Sequence, residues 1–227
     1  MLQLARMLIL ASLLLTTSAA QAGIVQIDFD FTGSSIEILG GIIDIPPDGT
    51  VTAASASLRV PGTSETNISS GPATLLNLNL AATINATVIS QATVTGSIAA
   101  SQVPGGTGTL TAGLANLIFN GLLVNVSAPI NCTSTGTQCG LLGLPLNLTG
   151  TFPLTGTFPV ASITSSGNAV LSGAFPITAS GVSALINLVG VEVGRTVVPE
   201  PSSASLIGLG FAGLAVAARR ARRILQR

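Results

Sequence analysis

Val25-Gln26-Ile27-Asp28-Phe29-Asp30-Phe31-Thr32 alternates apolar and polar residues without a break. A period of two puts every large side chain on one face of an extended chain, so the stretch predicts a half-buried strand and not a helix. The same period recurs downstream. Leu76, Leu78 and Leu80 alternate with Asn77 and Asn79, and Ile84, Ala86 and Val88 prolong the stripe. Ala92, Val94 and Ile98 resume it beyond a phase shift. Ile36, Ile38, Ile42, Ile43 and Ile45 form shorter apolar patches before the turn Pro46-Pro47-Asp48-Gly49. Val51–Val60 reads as another strand, ended by Pro61-Gly62, and Pro104-Gly105-Gly106 interrupts a later run. Leu110–Val126 holds two apolar segments around Gly121, and Leu114–Leu123 is the one place where a short helix competes. Val182–Val193 is expected to be the last strand, with Gly194–Val198 a linker to the C-terminal segment.

A short repeat follows the cysteines. Thr149-Gly150-Thr151-Phe152-Pro153-Leu154 is succeeded by Thr155-Gly156-Thr157-Phe158-Pro159-Val160, and Ser172-Gly173-Ala174-Phe175-Pro176-Ile177 repeats the pattern. In each copy Phe can anchor in a core while Pro ends or edges a strand. Many short strands with Gly and Pro punctuation predict an all-β fold: a single β-sandwich-like domain, with an irregular β-solenoid or elongated prism as the alternative. A membrane barrel would also alternate, but its aromatic girdles are missing, for the chain has no Trp or Tyr.

Composition narrows the chemistry. The formal net charge is zero, but the body, residues 23–197, holds seven acids against two arginines, Arg59 and Arg195. Nothing there neutralises phosphates, which argues against nucleic acid as a partner. From Thr66 to Val191 there is no Asp, Glu, Lys or Arg. Polarity rests on Thr, Ser, Asn and Gln, and a surface so short of charge favours self-association. Lys and His are also absent. Without them there is no Ser-His-Asp, Cys-His or Ser-Lys arrangement and no Schiff-base amine. The chain is therefore expected to be no enzyme, with no catalytic residue and no cofactor.

Carboxylates are the remaining chemistry. Asp28 and Asp30, two apart on a strand, share a face about 7 Å apart, within the range of an inverting glycosidase pair. Such a site would also need a raised pKa and sugar-stacking aromatics, so a solvated strand face explains the pair better. Asp28, Asp30, Asp44 and Asp48 are hard oxygen donors, yet no calcium-loop pattern joins them, and no metal is expected. Cys132 and Cys139 are the only cysteines and predict a disulfide closing a small loop in an oxidising compartment. Sequons at Asn67, Asn85, Asn125, Asn131 and Asn147 are weak evidence of glycosylation in so Thr- and Asn-rich a chain.

The two ends read as addresses. Residues 1–22 have Arg6, the apolar run Met7–Leu15 and the small-x-small site Ala20-Gln21-Ala22 before Gly23, the layout of a secretory signal peptide. Export machinery and a signal peptidase are the implied partners. Residues 198–227 begin with Val198-Pro199-Glu200-Pro201, continue through an uncharged apolar stretch over residues 202–218 and end with Arg219, Arg220, Arg222 and Arg223. As a helix the stretch spans about 25 Å, short of a hydrocarbon core of about 30 Å, and arginine stems can snorkel to cover part of the gap. The arginines belong on the cytoplasmic side, which leaves the body outside the inner membrane. Within this segment Gly208-Leu209-Gly210-Phe211-Ala212-Gly213 matches a dinucleotide fingerprint by letter, but no βαβ unit or acidic residue follows it. Small residues packing a membrane helix explain those glycines better.

The order Pro-Glu-Pro, apolar helix and arginine cluster resembles the PEP-CTERM sorting signal of exopolysaccharide-producing Gram-negative bacteria. The resemblance covers about 30 of the 227 residues. It implies an exosortase-like processing enzyme, a transient stay in the inner membrane, and delivery to the cell surface or extracellular matrix. With the composition, it leads to the expectation of a structural or adhesive protein of a biofilm matrix, associating with exopolysaccharide or with itself. The alternatives are a carbohydrate-binding or hydrolytic protein, or a periplasmic domain that stays anchored.

Overall fold

A computed structural model describes residues 23–38, 48–88, 92–134, 137–141, 143–179 and 182–198, with isolated Gly210 and Gly213. The signal peptide, Pro199-Glu200-Pro201, the apolar stretch and the arginine cluster lie outside these residues, as do Asp44, Pro46 and Pro47.

Ten strands form one antiparallel sheet: β1 Ile24–Asp30, β2 Ser35–Ile38, β3 Gly49–Pro61, β4 Gly71–Val88, β5 Ala92–Val103, β6 Thr107–Leu110, β7 Asn116–Ser134, β8 Leu146–Ala161, β9 Val170–Ala179 and β10 Val182–Val198. One short helix, α1 Gln138–Leu141, lies between β7 and β8. The pairings run β1–β3–β4–β5–β7–β8–β9–β10, and β10 pairs back onto β1 from Ile24↔Val198 to Asp30↔Val191. The sheet is closed. β2 continues the stave of β1, lying between β10 and β3, and β6 continues that of β5, lying between β4 and β7. The result is an eight-staved up-and-down barrel.

The all-β expectation holds, whereas the two-sheet sandwich gives way to a single closed sheet. Alternation dictates which face of each strand is buried, and a closed ring satisfies it as well as two stacked sheets do. Val25, Ile27, Phe29 and Phe31 point inward, with Leu58, Ile84, Val94, Leu122, Val124, Ile177 and Ile186 among the partners they meet in one contiguous core. Eight staves leave an interior that side chains just fill. The exterior is polar: Asn85, Asn125, Asn131, Thr133 and Thr151 all face out. A lipid-embedded barrel has the reverse arrangement.

One open reading is decided and one expectation needs correction. Leu114–Leu123 forms no helix, because Leu117, Phe119 and Leu122 enter the core from β7 and a bulge opposite Thr155 accommodates Asn120 and Gly121. Gly194–Val198 is not a linker but the end of β10, paired residue by residue with β1.

One seam of the ring is incomplete. Among the described residues β8 and β9 pair only at Val160↔Leu171 and Ala161↔Val170. The Val160 N–H donates to Ala115 O (2.7 Å), towards β7, so the odd-numbered residues of β8 turn their backbone groups to the seam. Glu192 N donates to Ala169 O (2.9 Å), which by the same alternation turns Val170, Ser172, Ala174 and Pro176 of β9 to the seam. Continuing the observed register would oppose Pro159 with Ser172, Thr157 with Ala174, Thr155 with Pro176 and Pro153 with Thr178. Three of those four hydrogen-bonding pairs contain a proline without an N–H, and the ladder stops. The repeat thus has a structural meaning. Each copy turns its Pro outward on a lip of the seam, while Phe158 and Phe175 are buried and Phe152 is half-buried. Phe158 lies over Gly173, where an added Cβ would stand 2.0 Å from the ring, and it meets Phe119 edge-on at 5.3 Å. Apolar packing closes the wall where hydrogen bonds do not.

Candidate functional site

The barrel wall carries an open groove of about 490 Å³ across β3, β4, β5 and β7. Two outward rows flank it. Ala53, Ala81, Ala99 and Ser127 are register partners in sequence across the four strands, and so are Ser55, Asn79, Ser101 and Asn125. The floor is the backbone at the inward-facing Ala54, Leu80, Ala100 and Val126. Three inter-strand steps make the groove about 14 Å long. Thr151 of β8 extends the polar row, its hydroxyl donating to Asn125 Oδ1 (2.7 Å). The small first row opens the groove, and the second lines it with amides and hydroxyls. No charged residue lies along it, which suits a neutral, hydroxyl-rich ligand and offers no acid or base. The period-two reading marked Asn77 and Asn79 as outward, but only strand register aligns Asn79 with Ser101 and Asn125.

Beside this groove lies a gap in the β4 stave. Asn77 sits in a bulge at φ 55°, and Gln102 accepts from Leu78 N (3.3 Å) and donates to Leu75 O (2.5 Å). That side chain satisfies the backbone groups the bulge releases.

The carboxylates the sequence singles out are held locally. Asp28 accepts from Ser57 Oγ (2.6 Å) and Gln26 Nε2 (3.1 Å). Asp30 accepts from the hydroxyl (2.6 Å) and backbone N–H (2.9 Å) of Thr32. Those hydrogen bonds hold the Asp30 carboxyl below its ordinary value, the wrong direction for a general acid. Asp48 is buried at the start of β3, accepting from Ile38 N (2.5 Å), nine residues along that strand from Ser57 and therefore about 30 Å from Asp28. Among the described residues no three His, Cys, Asp or Glu side chains group to hold a metal. A disulfide joins Cys132 to Cys139 with Cα atoms 5.7 Å apart, bracing the β7–β8 connection. All five sequon asparagines are exposed.

One constellation escapes sequence reasoning. Glu192 and Arg195 face inward at the barrel end that carries both Gly23 and Val198, their side chains 1% and 2% exposed. Arg195 donates to Glu192 through Nε (2.8 Å) and Nη2 (2.6 Å), and Nη1 donates to the carbonyls of Ile163 (2.9 Å) and Glu65. Glu192 also accepts from Gly167 N (3.1 Å) and Ala169 N (3.0 Å). The pair ties the 62–70 and 162–169 loops to β10. Burial pushes the Glu192 carboxyl up, but the Arg195 hydrogen bonds, the two N–H groups and the Arg195 charge together hold it below its ordinary value.

The end of β10 decides what kind of chain this is, because Val197 and Val198 open a match to a known family model. The chain carries a PEP-CTERM protein-sorting motif. The match spans residues 197–223, so Val198, Pro199, Glu200, Pro201 and the arginines Arg219, Arg220, Arg222 and Arg223 all fall within it. No curated protein matches the chain. Among solved structures, Ail, the attachment invasion locus protein of Yersinia pestis, aligns at 9% identity and TM-score 0.41, over 78% of this chain and 100% of that one. A second structure of Ail, in complex with the heparin analogue sucrose octasulfate, aligns at 10% identity and TM-score 0.38 with the same coverage. Alignments this loose carry no argument about fold or activity. The sorting motif marks an exported, exosortase-processed surface protein.

Proposed function

We propose that the protein is a non-enzymatic structural or adhesive component of the extracellular matrix, whose barrel wall contacts neutral polysaccharide. One observation carries this reading: behind a sorting motif stands a barrel with a filled core and an uncharged stretch of wall, grooved between the alanine row and the Ser55, Asn79, Ser101, Asn125 row. Rows of amides and hydroxyls exchange hydrogen bonds with sugar hydroxyls at little desolvation cost, whereas a charged wall would favour ionic polymers. Processing is expected to free the body from the inner membrane after the signal peptide is removed next to Gly23. The paired Asp28 and Asp30 lend no support to hydrolysis, as both are engaged by neighbouring side chains.

The test is retention in matrix. The double variant Asn79→Ala/Asn125→Ala should reach the cell surface in normal amount yet wash out of the exopolysaccharide fraction several-fold more readily. Equal retention of variant and wild type would overturn the groove as the contact.

A further inference from the structure

The incomplete seam leaves a backbone edge exposed. β9 ends at Ala179, which the register places opposite Phe152, so Leu146–Thr151 of β8 has no β9 residue beside it. Asn147, Thr149 and Thr151 are exposed, and their N–H and C=O groups turn away from β7. Prolines blunt the lower lip at Pro153 and Pro159, but Leu146–Thr151 contains none. Native edges are normally guarded by charge, proline or cover. Among the described residues this one has no guard.

The nearer surroundings are apolar as well. Among the described residues, the large exposed hydrophobics are Ile118 and Leu123 on β7 and Val189, Val191, Val193 and Val197 on β10. Of these Leu123, opposite Pro153, lies nearest the edge, whereas the β10 valines stand level with Pro159 and beyond, at the far end of the seam. Neither lip carries a charged residue.

We propose that the β8 edge pairs with the same edge of a second copy, antiparallel about a two-fold axis at Thr149. Thr149 then faces its counterpart, Asn147 faces Thr151 of the other copy, and the two barrels share one continuous sheet. A second copy fits because an edge without charge does not repel itself, and because an isologous contact needs only one exposed edge per chain. A foreign charged strand would find no complementary group. The proposal deepens the structural reading of the protein but stands on the edge geometry, which shares only Thr151 with the polysaccharide groove.

Sedimentation of the processed protein recovered from the cell surface tests it. The wild type should show a concentration-dependent dimer. Thr149→Pro removes an N–H that β7 does not use, together with its symmetry mate, and should weaken dimerisation about tenfold or more while the melting temperature stays within a few degrees. Thr149→Cys keeps the edge intact and covers the case in which the proline variant fails to fold. It should give a cross-linked dimer with a short bis-maleimide, since no other free cysteine exists among the described residues. A wild type that remains monomeric at all concentrations, or an uncross-linked Thr149→Cys protein, would overturn the proposal. So would a monomer that instead binds a foreign chain lost in Thr149→Pro. Equal matrix retention of Asn79→Ala/Asn125→Ala and wild type, with the dimer intact, would count against the groove and leave the dimer standing.

Discussion

Glu192 and Arg195 stand three apart on a strand, a spacing that should send them to opposite faces. The bulge at Val193, where Asp28 faces Gly194 and Phe29 faces Glu192, removes one step of the alternation and turns both inward. No composition signal announces a bulge, so the charges read only as the solvated ends of a valine-rich strand. Their burial carries a consequence. Removing one partner leaves the other charge unpaired beneath the 62–70 and 162–169 loops, and Arg195→Met is expected to cost about 3 kcal/mol in chemical denaturation. The pH dependence follows from Glu192. Its folded carboxyl lies below the unfolded value near 4.5, so its contribution is complete above about pH 5 and fades as the pH falls through and below 4.5. Glu192→Gln should flatten the loss of melting temperature in that acid window. An unchanged acid limb would remove the pair from the stability of the barrel.

At the scale of elements, the strands were legible because their period of two is long and clean, from Val25–Phe31 to Leu76–Leu80. Ring closure was not, since alternation says which face is buried but not which strands meet. The groove was hidden for the same reason: Asn79, Ser101 and Asn125 are far apart in sequence and become a row only through register. The Phe-Pro repeat was visible as a repeat, though its role as the two lips of a seam depends on prolines falling at hydrogen-bonding positions of facing strands. Packing at that seam is specific. Gly173 is paired with Leu188 on β10 while the Phe158 ring lies on its open side. Gly173→Val is therefore expected to destabilise by about 1–3 kcal/mol through overpacking. In a double-mutant cycle, Phe158→Ala should relieve much of that cost, because the valine then fills space the ring has left. Additive losses would mean that ring and glycine do not bear on each other.

At the scale of the whole molecule, the barrel brings its first and last strands together at one end. β1 starts at Ile24, one residue after the expected signal cleavage at Gly23, and β10 runs to Val198, already inside the sorting motif. No slack chain separates the folded wall from Pro199. The sorting motif therefore begins within the barrel wall, at Val197 and Val198, and the wall itself limits how far processing can trim. Cleavage upstream of Arg195 would remove the β10 partners of Ile24, Val25, Gln26 and Ile27, together with the guanidinium that holds the 62–70 and 162–169 loops. The ring would open at the stave that closes it. Mass spectrometry of the surface form should accordingly find a C-terminus at or beyond Val198, and a truncation ending at Gly194 should lose the cooperative melt of the intact barrel. A stable surface form ending before Arg195 would show that the β1–β10 pairing is dispensable, and with it the closed ring as the working form of the exported protein.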